Sequence, residues 1–240
     1  EVALVGKYTE LHDAYISVVE ALKHACIYHH SELHINWIDS DEITEKNAGS
    51  ILKNMDGILI PGGFGVRGTE GKINAARYAR ENKIPFLGLC LGMQIAIVEF
   101  ARHVCGMTDA NSIEMNPNTQ YPVIDFLPGQ SEYSMLGGTL RLGKYPCKVL
   151  PETKAFEAYK EEVIYERHRH RYEVNNEYRD ILREKGMIFC GTSPNNSVVE
   201  MIELENHPWY VACQFHPEFK SRPNRPHPLF LGFINAAVTK

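Results

Sequence analysis

Apolar residues come in short bursts whose period switches between two and about three and a half. Val2–Gly6 reads as a strand. His12–Tyr28 reads as a helix, with Ile16, Val19, Leu22 and Cys26 on one face. The alternation continues with a strand at Leu33–Asp39 and a helix at Asp41–Asn54, Asp41 standing near its N-cap. A strand follows at Asp56–Ile60, closed by Pro61-Gly62-Gly63, then a helix at Glu70–Asn82, a strand at Pro85–Leu89 and a helix at Leu91–Val104. Strand–helix pairs in succession predict a parallel sheet with right-handed crossovers. The second half has another texture. Turn residues are dense between Val123 and Val149, where Gly138–Leu142 is strand-like. Val163–Tyr172, Met187–Thr192, Ser197–Leu204 and Tyr210–Phe215 read as strands with antiparallel pairings, and His227–Val238 as a closing helix. The pattern predicts one α/β domain over residues 1–240: a mostly parallel central sheet flanked by helices, with antiparallel strands added in the second half.

Composition narrows the function classes. Hydrophobic residues make up 44% and charged residues 23% of the chain, values that exclude disorder, collagen and coiled coil. The net charge of -5 leaves no basic surplus to displace counterions, so nucleic acid is not an expected partner. No apolar run reaches the ~18–20 residues that span a bilayer, and no signal-peptide pattern opens the chain. Its start, without Met and inside the apolar run Val2–Val5, is that expected of a domain cut from a longer chain. The six cysteines include no CxxC pair, so neither a disulfide framework nor a metal site is expected; reduced thiols in a cytoplasmic protein are.

Gly88-Leu89-Cys90-Leu91-Gly92 follows an apolar strand and opens a strongly helical stretch. This is a G-x-nucleophile-x-G elbow with cysteine as the nucleophile. Flanking glycines relieve the crowding of a strand reversing into a helix, the helix N-terminus favours negative charge on sulfur, and the Leu91 N–H is aimed at the oxyanion of an attacked carbonyl. A thiolate needs a base, and the base an orienting group. Gln214-Phe215-His216-Pro217-Glu218 ends a strand and supplies both, His216 as base and Glu218 as its carboxylate partner. The loop Pro61-Gly62-Gly63-Phe64-Gly65-Val66-Arg67-Gly68 admits two readings. Gly63-x-Gly65-x-x-Gly68 has dinucleotide-fingerprint spacing, although the next strand ends in Cys90 and not in an acidic residue. Glycines beside an active cysteine also let backbone N–H groups approach an oxyanion.

These three motifs, in this order, closely resemble the class I (triad-type) glutamine amidotransferases, and the resemblance covers nearly the whole chain. Val5-Gly6-Lys7-Tyr8, Gly65–Lys72, Asp109-Ala110-Asn111-Ser112, Gly137-Gly138-Thr139-Leu140-Arg141-Leu142-Gly143 and Glu166–Asn175 narrow it to the glutaminase domains of CTP synthases. The resemblance implies hydrolysis of glutamine to glutamate and ammonia through a Cys90 thioester. His216 and Glu218 complete the catalytic set, and backbone N–H groups of Gly63 and Leu91 form the oxyanion hole. Gly63, Phe64, Gln94, Glu114 and Arg171 bind glutamine, a carboxylate suiting its α-ammonium and an arginine fork its α-carboxylate. It further implies that ammonia passes to an N-terminal synthetase domain of the same full-length protein, which converts UTP to CTP with Mg-ATP. GTP is the implied allosteric activator and a homotetramer the implied assembly; the glutaminase domain itself needs no cofactor or metal. Alternatives are the glutaminase unit of another amidotransferase, such as GMP synthase, or an inactive regulatory module.

In Arg167-His168-Arg169-His170-Arg171, a period of two puts the arginines on one strand face and the histidines on the other. The two histidines look like a metal pair, but no further ligand stands at suitable spacing. Pro128–Arg141 matches a lid-like segment facing the synthetase domain, and Tyr145–Glu161 carries no motif.

Overall fold

A computed structural model describes residues 1–126 and 140–239. Its backbone is a nine-stranded sheet and a small three-stranded one. The strands are β1 (Val2–Gly6), β2 (Ile35–Asp39), β3 (Gly57–Ile60), β4 (Phe86–Leu89), β5 (Ala110–Ser112), β6 (Tyr121–Phe126), β7 (Arg141–Val149), β8 (Val163–His170), β9 (Tyr172–Val174), β10 (Met187–Thr192), β11 (Val199–Leu204) and β12 (Tyr210–Cys213). The α-helices are α1 (Ile16–Tyr28), α2 (Ala48–Leu52), α3 (Thr69–Glu81), α4 (Leu91–His103), α5 (Lys154–Tyr159), α6 (Arg179–Glu184) and α7 (Pro228–Val238). The large sheet runs β2-β1-β3-β4-β12-β11-β10-β7-β8, and the small one β5-β6-β9. β2, β1, β3, β4 and β12 are mutually parallel; β12–β11, β11–β10, β10–β7 and β7–β8 are antiparallel.

The parallel strands are apolar on both faces because helices cover both. Ala3, Val5, Ile58, Ile60 and Phe86 face the core under α3 and α4; Val2, Leu4, Leu59, Leu87 and Leu89 face the core under α1 and α7. The carboxyl ends of β1, β3, β4 and β12 therefore converge, and open parallel sheets bind ligands at that edge.

Three expectations shift. The helix expected over Asp41–Asn54 is a 3-10 turn at Ser40–Glu42 and the short α2. Polar side chains take the backbone groups a helix would use. Asp39, not Asp41, caps the turn by accepting from the Asp41 N–H at 2.9 Å, while Asn47 accepts from the Thr44 N–H and donates to the Glu42 carbonyl. The first turn of the expected His12–Tyr28 helix is 3-10, with the His12 ring stacked on Trp37 at 4.0 Å. The strand expected over Val163–Tyr172 breaks at Arg171; beyond it β9 leaves the large sheet and pairs with β6. The lid-like segment falls outside the described residues as far as position 139.

Candidate functional site

Cys90 stands between β4 and α4 as the helix N-cap, with φ 51° and ψ -100°. A non-glycine residue holds such a conformation only where its surroundings impose it. Here the Cys90 N–H donates to the Cys213 carbonyl at 2.7 Å, tying the elbow to the end of β12. Both flanking glycines are required by close approach. A Cβ on Gly92 would lie 2.2 Å from the Ile60 carbonyl oxygen, and one on Gly88 would lie 2.7 Å from that of Gly92. The Leu91 N–H belongs to the first turn of α4, whose N–H groups lack intrahelical acceptors.

His216 follows β12 across the same edge. Its N–H donates to the Arg167 carbonyl at 2.8 Å, and its Nδ1 lies 2.8 Å from Glu218 Oε1. Burial disfavours charge on this imidazole, but hydrogen bonds to Cys90 and Glu218 and the charges of both outweigh burial and raise it to about 10. His216 therefore holds its proton at neutral pH. Gly62 lies so close that a Cβ there would come 2.9 Å from His216 Cε1 and 3.6 Å from Cys90 Cβ.

A cavity of about 690 Å³ opens over these groups. Eight of the nine residues the sequence nominates line it: Cys90, His216, Glu218, Gly63, Phe64, Gln94, Glu114 and Arg171; Leu91 stands beside it in the elbow. Glu114 Oε1 accepts from the Gly65 N–H at 3.0 Å. Gln94 Nε2 donates to the Tyr172 carbonyl at 3.3 Å and to Gln214 Oε1 at 3.2 Å. Arg171 stands at the break between β8 and β9 and lines the cavity together with Arg169 and His170; along β8 the Arg167 and Arg169 positions are exposed and the His168 and His170 positions buried. A carboxylate, a guanidinium and a sulfur lining one cavity suit a small zwitterion carrying an acyl group.

Sequence reading gave Gln214 no role of its own. Its Nε2 donates to Cys90 Sγ at 3.6 Å, so it bridges the sulfur to Gln94. The available signal was position: it opens the motif Gln214-Phe215-His216-Pro217-Glu218, two residues before His216.

The chain matches the sequence model of the family "Glutamine amidotransferase class-I" over residues 10–236. The chain belongs to the class-I glutamine amidotransferases. It is 64% identical over 240 residues to the CTP synthase of Moorella thermoacetica and 60% identical over 237 residues to that of Bacillus subtilis. Those matches cover 100% and 99% of the chain, but the chain spans only 44% of each relative's length. Among solved structures it superposes on the Trypanosoma brucei CTPS glutaminase domain with bound acivicin at a TM-score of 0.94 and 38% identity, covering 100% of this chain and 94% of that one. A glutamine amidotransferase from Thermotoga maritima shares the fold at a TM-score of 0.52 and 13% identity, with 99% of this chain and 95% of that one covered.

His170, one of the residues lining the cavity, also belongs to a buried polar ring. Arg141 Nη2 meets Glu200 Oε1 at 2.6 Å, and His168 Nδ1 meets His170 Nε2 at 2.8 Å. His170 Nδ1 lies 3.2 Å from Glu173 Oε1. Burial, then the charge of Glu200, pushes Glu173 well above the carboxylate range. Burial chiefly drives His168 to about 2 and His170 to about 3, so both rings are neutral at physiological pH. Among the described residues no group of three or more His, Cys, Asp or Glu stands where it could hold a metal ion, and no helix is long and apolar enough to cross a membrane.

Proposed function

We propose that these residues form a single glutaminase domain that hydrolyses glutamine and delivers ammonia to an N-terminal synthetase domain of the full-length protein. The supporting observation is the Cys90–His216–Glu218 arrangement in a cavity that Glu114 and Arg171 also line. Glu114 takes the α-ammonium of glutamine and Arg171 its α-carboxylate, which leaves the γ-carboxamide over the sulfur. Gln94, Gly63 and Phe64 shape that pocket.

Cys90 sulfur attacks the carbonyl carbon of the γ-carboxamide, and the S–C bond forms as the carbonyl π bond opens onto oxygen. The N–H groups of Gly63 and Leu91 hold that oxyanion. His216 then passes its proton to the departing nitrogen, the C–N bond breaks, and ammonia leaves a γ-glutamyl thioester. The neutral imidazole next takes a proton from water while the water oxygen bonds to the acyl carbon. Breaking the S–C bond restores the thiolate and releases glutamate. Glu218 fixes the tautomer and ring orientation throughout.

In the full-length protein the ammonia aminates UTP activated with Mg-ATP, yielding CTP; GTP stimulates the glutaminase step, and the assembly is a homotetramer. The six cysteines, free in the structure, fit a reducing cytoplasm. The test is CTP formation by the full-length protein and its Cys90→Ala variant. The variant should lose synthesis from glutamine and keep synthesis from added ammonium chloride. Glutamine-dependent synthesis that survives the substitution would refute the assignment of Cys90.

A further inference from the structure

Lys7 is buried, yet no carboxylate among the described residues pairs with it. It follows β1, whose neighbour β3 runs parallel and leads into the loop at residues 61–68. The backbone at Lys7 is fixed. The Tyr15 hydroxyl accepts from the Lys7 N–H at 3.1 Å and the Tyr8 N–H at 3.3 Å, and it sits so close to Gly6 that a Cβ there would come within 2.6 Å. From this anchor Lys7 Nζ donates to the Phe64 carbonyl and lies 5.0 Å from the centroid of the Phe64 ring and 5.5 Å from that of Tyr8. A buried ammonium is costly unless something definite is gained from its position.

The Phe64 carbonyl and the Gly65 N–H are the two ends of one peptide group. Lys7 grips the first, and Glu114 accepts from the second at 3.0 Å. A flipped peptide would turn its carbonyl toward the carboxylate and its N–H toward the ammonium, so both ends oppose the flip. Gly65, at φ 79°, removes the side-chain barrier that would otherwise hold the orientation. The two charged side chains therefore set it.

We propose that Lys7 is a positioning residue for glutamine hydrolysis: by holding the Phe64 carbonyl it locks the loop that presents the Gly63 N–H to the oxyanion. The inference rests on the glutaminase reading. Glu114 is shared with the substrate's α-ammonium in that reading, so Lys7 is the clamp that does not change partners when glutamine arrives.

The test uses the full-length protein with Lys7→Met and Lys7→Arg. Glutamine hydrolysis is measured beside the affinities for glutamate and for the γ-aldehyde of glutamate. Cys90 sulfur adds to that aldehyde carbon, and the opened carbonyl places its oxygen at the oxyanion position. Lys7→Met should lower kcat roughly 10- to 100-fold with little change in KM, because oxyanion donors act on the transition state. It should weaken the aldehyde by a similar factor and leave glutamate affinity unchanged, and Lys7→Arg should restore most of the loss. If Lys7→Met does not fold, Lys7→Gln, with a shorter neutral donor, should show the same pattern at smaller size. Equal weakening of aldehyde and glutamate, or an unchanged kcat, would overturn the role of Lys7. A wild-type protein that neither hydrolyses glutamine nor captures the aldehyde would overturn the glutaminase reading itself.

Discussion

At the scale of single residues the decisive pair is His216 and Glu218. Burial alone would strip His216 of its proton; the Cys90 and Glu218 partners reverse that and raise it to about 10. The folded protein therefore binds this proton more tightly than the unfolded chain, whose histidine titrates near ~6.5. Its contribution to stability is fully present below that value and is lost as pH rises through about 10. NMR of the His216 ring should show imidazolium at pH 8. Cys90→Ala and Glu218→Gln should each bring its titration down toward the ordinary range; a ring already neutral at pH 8 in the wild type would contradict the ion pair. These residues were legible in the sequence because each motif sits at a strand end, where backbone geometry nearly dictates direction. Lys7 and Gln214 stood in quoted motifs, but their roles depend on contacts 57 and 124 positions away along the chain, which no local pattern encodes.

Among elements, the elbow is held by what it lacks. Gly92 packs its Cα against the carbonyl end of β3, leaving no room for a methyl group. Gly92→Ala should push α4 away from β3, cost about 3 kcal/mol in urea unfolding, of the order expected for overpacking in a core, and reduce glutamine hydrolysis as the Leu91 N–H shifts. Full stability in that variant would show that the elbow tolerates more space than the structure gives it. The parallel half was readable as strand–helix pairs because its strands are short apolar runs between turn residues. The stretch Asp41–Asn54 was not, since its apolar spacing resembles a helix while Asp39 and Asn47 divert the backbone into capped turns. Arg171 shows the same limit in the other direction. Strict alternation places it beside Arg169, and both line the cavity, but the break after His170 that ends β8 is not written in the pattern.

For the molecule as a whole, the antiparallel half does more than extend the sheet. β8, β9 and β11 carry His168 and His170, Glu173, and Glu200 into one buried ring, and Arg141 at the head of β7 supplies its cation. Class and layer order of the fold could be read from patterning, but this ring could not, because it joins four strands of two sheets. Glu200 is fully buried and its pair with Arg141 is short, so removing one partner strands a charge. Arg141→Met should cost about 3–5 kcal/mol in urea unfolding, and the double variant with Glu200→Gln should recover part of it. Additive losses would show that the two side chains are not coupled.

The proposed function requires an activated sulfur at Cys90 inside a glutamine pocket. Peptide mass spectrometry after treatment with a glutamine-mimicking electrophile tests it most directly, with the Cys90→Ala variant alongside. A single adduct on Cys90, suppressed by excess glutamine and absent from the variant, is the predicted result. Labelling spread over other cysteines, or labelling of Cys90 that glutamine does not suppress, would contradict it.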